Sequence, residues 1–260
     1  MARKFQRILG INFFIGDLPD LLELCAEGRF IVVPSAPTLA DLPINPAFRE
    51  AVEKSDLAIT DSAFMVLLWK LYTGQTLHRI SGLKLLRDLL ASDALRQPGS
   101  SHWIMPSKHE MEVNLAWLNQ HGCPVTPEQS FVAPYYPKGP ISDPSILSWV
   151  ETRKPPYIII NIGGGVQERL GFYLKKNLSY RPTIICVGAA IAFITGVQAN
   201  IPEWADAWML GWLLRCIHEP KRFLPRYWNS LRLITILNKY REQSCAPADE
   251  PESVPSEKQP

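Results

Sequence analysis

A chain of 260 residues, 47% hydrophobic and 20% charged, has the make-up of a globular protein large enough to bury a full core. A net charge of +2 excludes a protein that grips nucleic acid by overall charge. Five scattered cysteines with no C-x-x-C pair exclude a zinc framework and fit a reducing compartment, and the five histidines show no metal-ligand spacing.

The basic start, Met1 to Gln6, leads into no signal-like apolar stretch before Asp17 and Asp20. From there, β-branched or aromatic runs alternate with runs of helical period. Ile8–Phe14 predicts a strand, Asp17–Glu27 a helix, Phe30–Val33 a strand, Phe48–Lys54 a helix and Leu57–Ile59 a strand. Ala63–Tyr72 and Leu83–Arg96 predict helices, Trp103–Met105 a strand, and Glu110–Gln120 and Ser145–Thr152 helices. Tyr157–Ile162 predicts a strand, Gln167–Lys176 a helix and Thr183–Val187 a strand. The uncharged run from Ile184 to Val197 is shorter than the roughly 20 residues of a spanning helix, and reads as a buried strand with its continuation. Runs such as Tyr-Ile-Ile-Ile-Asn-Ile are apolar on both faces, as strands of a parallel sheet covered on both sides must be. The alternation predicts an open, mostly parallel α/β sheet with helices on both faces, a Rossmann-like core over residues 1–203. From Ala207 to Arg241, seven basic residues stand against the single acid Glu219, among many Trp, Leu and Ile. Residues 204–241 therefore read as a basic amphipathic appendage, and the Pro/Glu/Ser-rich stretch 242–260 as a disordered tail.

Open α/β sheets bind ligands beyond the carboxyl ends of their strands, which selects the candidate site residues. Asp61 lies between a strand and a helix; it either caps that helix or serves as a general base. In Asn161-Ile-Gly-Gly-Gly-Val-Gln-Glu168, Gly163, Gly164 and Gly165 form either a plain tight turn or a phosphate cradle, and Gln167 faces either ligand or water. Arg79, in a connection ahead of a helix, is either a surface ion-pair partner or a phosphate ligand. Arg215, Arg222 and Arg226 would share one arc of a continuous helix, which Pro220 and Pro225 oppose. That face either packs beside the core or meets an anionic bilayer, with Trp212, Phe223, Trp228 and Leu231 as interfacial contacts. Whether the loop from Ala133 to Ser142 covers a site or only connects elements stays open.

Taken in order, these segments resemble the WecG/TagA/CpsF family, glycosyltransferase family 26. The most specific stretch is Trp212-Leu-Leu-Arg-Cys-Ile-His-Glu-Pro-Lys-Arg-Phe-Leu-Pro-Arg-Tyr227, similar to the family's E-W-L-Y-R-L-x-x-E-P-R-R-L-x-x-R-Y. Pro46 to Asp61, Arg79-Ile-Ser-Gly82 and Gly163-Gly-Gly-Val-Gln-Glu168 are similar to its stretch ending in A-D-L-x-x-P-D-G, its R-V-T-G and its G-x-P-K-Q-E. The resemblance spans roughly residues 8 to 235. It implies a cytosolic, metal-independent, inverting transferase that uses a UDP-sugar and an undecaprenyl-diphosphate-linked acceptor. Asp61 is then the base, with Ser35, Arg79, Gly163, Gly164, Gly165, Gln167 and Gly188 on the donor side. Arg215, Arg222 and Arg226 hold the lipid diphosphate at the inner-leaflet surface. No cofactor and no nucleic acid is implied, and homo-oligomerisation is left open. The chain departs from the family at Ser62 (for Gly), Pro34 to Thr38 (no Asn), Lys84 (no acid), Ala192 (for Asp) and Asn200 to Pro202. Those changes point to an altered donor pocket, or to an inactive relative that acts as a membrane-bound scaffold.

Overall fold

The computed structural model describes residues 4–198 and 211–246, without the side chains of residues 211, 212, 215 and 222. Eight strands form one sheet: β1 (Phe5–Ile8), β2 (Ile11–Phe14), β3 (Phe30–Val32), β4 (Leu57–Ile59), β5 (Ser101–Met105), β6 (Ser130–Val132), β7 (Tyr157–Ile160) and β8 (Thr183–Cys186). Their spatial order is β1-β2-β4-β3-β8-β7-β5-β6, and every pairing is parallel except the β1–β2 hairpin. This is the open α/β sheet expected. The run expected as one strand over 8–14 is instead the end of β1, a turn and β2. Leu9 and Gly10 both take positive φ there, at 53° and 81°, the geometry of a two-residue hairpin turn. The β6 strand was not expected; Ser130-Phe-Val holds only two apolar residues, and it is its pairing beside β5 that makes it a strand.

Residues alternate between the two sheet faces, so each strand feeds two cores. Val32, Ala58, Ile104, Ile158, Ile160 and Ile184 face one side. They meet α2 (Ala36–Leu39), α3 (Pro46–Glu53), α4 (Ala63–Thr73), α8 (Pro144–Arg153) and α9 (Gln167–Asn177). Ile31, Leu57, Ile59, Trp103, Ile159 and Ile185 face the other. They meet α1 (Leu18–Cys25), α5 (Gly82–Ala91), α6 (Asp93–Arg96), α7 (Lys108–Gln120) and α10 (Ala190–Thr195). The single helix expected over 83–96 is broken at Ser92, whose extended backbone and hydroxyl, bonded to Leu89 O at 2.7 Å, end α5. The expected strand continuation after Cys186 is α10, entered through Gly188 at φ +61°.

The basic stretch is three helices rather than one: α11 (Gly211–His218), α12 (Pro220–Ser230) and α13 (Arg232–Tyr240). Pro220 starts α12 in the first turn, where its missing N–H has no partner to lose, while Pro225 is accommodated inside it. The last helix is a core element, with Leu233, Ile236 and Leu237 buried among the α4-side residues. The following residues pack as well: Leu9 N–H donates to Arg241 O and Gly10 N–H to Glu242 O, and Cys245 is buried. Residues 242–246 thus belong to the fold, correcting their assignment to a loose tail; the rest of that tail lies outside the described residues. Among the described residues, no helix is long and apolar enough to cross a membrane.

Candidate active site

The chain leaves β3 for α2 on one face and leaves β8 for α10 on the other. Neighbouring strands whose connections diverge in this way open a crevice at their carboxyl ends. Four consecutive strands, β4, β3, β8 and β7, carry Asp61, Ser35, Gly188 and Gly163 to Gly165 just beyond their ends. At about 4.8 Å per strand, this rim spans roughly 14 Å.

Asp61 does not cap α4. Ser62 does, accepting Met65 N–H at 3.2 Å, so the adjacent carboxylate is released for other work. Asp61 Oδ1 instead accepts the N–H of Gly82, the first residue of α5, at 2.9 Å. A helix N-terminus favours negative charge, and no donor among the described residues engages Oδ2. Gly82 permits this approach, since a Cβ there would stand 2.8 Å from Val33 Cγ1. Arg79 Nε donates to the Asp61 main-chain carbonyl at 2.8 Å, which ties Arg79 to the loop that carries the carboxylate. Thr60 ties the same loop to the sheet, donating to His78 O at 2.7 Å and accepting Ile80 N–H at 3.2 Å.

Across the crevice, the glycine turn is organised by a residue that sequence reasoning had not assigned. Glu168 is fully buried; its Oε2 accepts Gly165 N–H at 2.6 Å and its Oε1 accepts Gln167 Nε2 at 3.1 Å. Burial pushes its carboxyl above the usual range, opposed by those hydrogen bonds and by the charge of Arg226. Gly165 needs its φ of +85° to present that N–H. Gln167 is buried too, and its amide joins two turns: Oε1 accepts Gly188 N–H at 2.7 Å and Nε2 reaches Cys186 O at 3.4 Å. Arg169 Nε holds Gly165 O at 2.8 Å, while its Nη1 donates to the carbonyls of Pro137 and Gly139. The proline-rich loop is therefore clasped against the glycine turn, with Tyr136 anchored to Asp143 at 2.7 Å.

Ser35 and Thr38 form a small hydroxyl cluster at the start of α2, 3.3 Å apart. A Cβ on Gly164 would lie 3.0 Å from Thr38 Cγ2 and 3.5 Å from Arg226 Nη2, so α12 lays its arginine over the turn. The side chains of Arg215, Arg222 and Trp212, and Asn200 to Pro202, lie outside the described residues. Phe223, expected as an interfacial contact, is buried at 6% exposure and packs inward, whereas Trp228 is 77% exposed. Among the described residues, no group of three His, Cys, Asp or Glu side chains could hold a metal ion.

A cleft of about 290 Å³ opens at the opposite end of the sheet, lined by Gly28, Lys154, Tyr157, Tyr180 and Arg181. It carries no carboxylate and no helix start, whereas the carboxyl rim gathers both.

The sequence profile of the glycosyl transferase WecG/TagA/CpsF family matches residues 6–245. No curated protein matches the chain. The chain belongs to the WecG/TagA/CpsF glycosyltransferase family.

Proposed function

We propose that this family member is an inverting transferase that moves a hexosyl or N-acetylhexosaminyl group from a UDP-sugar to an undecaprenyl-diphosphate-linked acceptor. The observation that carries this reading is the pairing on one rim of the Asp61 carboxylate, whose Oδ2 takes no hydrogen bond from a described residue, and the glycine turn under Arg226. Asp61 takes the proton of the acceptor hydroxyl. The hydroxyl oxygen bonds to the anomeric carbon from the face opposite the nucleotide, and the bond from that carbon to the diphosphate oxygen breaks. UDP departs with the electron pair, and the charge that grows on it is met by Arg79, while the Gly163 and Gly164 N–H groups face the nucleotide farther along the rim, Gly165 N–H being held by Glu168. Fixed cations and dipoles do this work without a metal. Ser35 faces the bound sugar, while Gln167 acts by holding the Gly188 and Gly165 turns in register. Arg226, with Arg215 and Arg222, holds the acceptor's diphosphate.

The acceptor is a lipid, and the outer surface of α12 and α13 suits a bilayer. Leu224, Trp228 and Leu231 are exposed beside Lys221 and Arg232, an apolar patch rimmed by cations that fits the cytoplasmic face of an anionic inner membrane. Such a reaction belongs to cell-surface or exopolysaccharide synthesis.

The test is a melting-temperature screen against UDP and a panel of UDP-sugars, with and without EDTA, followed by turnover of the Asp61→Asn variant. Stabilisation by a UDP-sugar with EDTA present, and a variant that binds but does not turn over, are expected. Unchanged turnover in Asp61→Asn removes the base assignment. No response to any uridine nucleotide moves the reading to a membrane scaffold.

A further inference from the structure

Asn161 closes the apolar run of β7 and is 4% exposed. Its main-chain N–H donates to Ile104 O at 2.9 Å, which clamps the residue between β7 and β5. Its Nδ2 reaches the Ile159 carbonyl at 3.4 Å; this orients the amide and leaves Oδ1 as the end without a partner. Oδ1 is buried and accepts no hydrogen bond. An amide oxygen held in this way destabilises the unliganded fold, whereas an apolar side chain of the same size would not. The other orphaned side-chain atoms among the described residues, on Ser100, His102 and Ser130, belong to the opening ends of β5 and β6. Asn161 is the one at the carboxyl rim.

Alternation also fixes which face it shares. Ile159 and Ile59 both pack in the α5-side core, so Asn161 and Asp61, each two residues further on, leave the rim on that same face. They are three strand spacings apart, roughly 14 Å. An extended nucleotide-sugar whose sugar carbon is at Asp61 reaches Asn161 with its base, not with its sugar.

We propose that Asn161 is a specificity-determining residue whose Oδ1 accepts the imide N–H of the donor's pyrimidine base. The inference rests on the UDP-sugar reading above. A site with a fixed acceptor discriminates against a ligand that lacks the matching donor, because the acceptor is then left unpaired in the complex.

The experiment compares UDP with N3-methyl-UDP, whose methyl group replaces the imide N–H, on the full chain and on Asn161→Leu and Asn161→Ala. Wild type is expected to bind N3-methyl-UDP about tenfold more weakly than UDP, the worth of one neutral hydrogen bond. Each variant is expected to bind the two nucleotides alike, and Asn161→Leu to melt, unliganded, at or above the wild-type temperature. A structural role predicts the reverse: a lower melting temperature with the tenfold ratio kept, which overturns the proposal. Equal binding of both nucleotides by wild type overturns it as well. If wild type binds no uridine nucleotide, the donor reading falls and this inference falls with it.

Discussion

Two carboxylates lie on the same rim, and the fold gives them opposite surroundings. Asp61 is half-buried, takes one N–H from the start of α5 on Oδ1, and has no donor among the described residues on its second oxygen. Glu168 is fully buried, uses both oxygens inside the protein, and has its carboxyl pushed upward by burial. Environment separates acid–base roles in this way: an accessible, helix-stabilised carboxylate suits proton transfer, and a buried one suits scaffolding. The divergence began one residue away, where Ser62 took over the capping of α4 and left Asp61 without that duty.

Four measurements break or sharpen the comparison. Asp61→Asn is expected to lower turnover by about 10²–10⁴, the usual worth of a general base, while the melting temperature stays near wild type. A similar loss in Glu168→Gln without any loss of stability would erase the distinction. Glu168→Ala is expected to lower folding stability by about 3 kcal/mol, since Gly165 N–H and Gln167 Nε2 lose their shared acceptor in a dry site; chemical denaturation measures it. His102 is the control for burial alone. It is 3% exposed, its ring lies tilted 4.8 Å from that of Trp149, and burial pushes its imidazole down to about 4 from an ordinary 6.5. The folded form therefore stays neutral while the unfolded chain takes up a proton. Relative to a His102→Leu variant, wild type should keep its full stability above pH 6.5 and lose up to about 3 kcal/mol as the pH falls to 4. Ser62→Ala gives the smallest effect, about 1 kcal/mol of stability from a lost cap with turnover retained, the converse of its neighbour Asp61.

Most of the scaffold was legible because its signals are local. Tyr157-Ile-Ile-Ile is apolar on both faces wherever it is met, and the Ile59–Asp61–Ala63 step from strand to helix fixes a place on the rim. The glycine turn, Arg79 and Asp61 could all be named from strand-end positions. Glu168 could not, although it stood in the same motif: a glutamate in a first helical turn reads as a solvated dipole partner, and only the packing of α9 against the sheet buries it. Thr60 and Arg169 were missed for a related reason, since their partners are 18 to 20 and 30 to 32 residues away in the chain. The basic stretch misled in the other direction. Its charge suggested an appendage throughout, yet the spacing of Leu233, Ile236 and Leu237 was already that of a buried helical face.

The sequence by itself determined the layered α/β class, the rim on which the candidate residues gather and the family, because periodicity, turn residues and motif order are properties of neighbouring residues. The tertiary structure decided which of two rim carboxylates is open, where Arg226 lies, and that α13 is core. Those outcomes depend on burial and on hydrogen bonds between distant segments, and neither exists until the two faces of the sheet are covered.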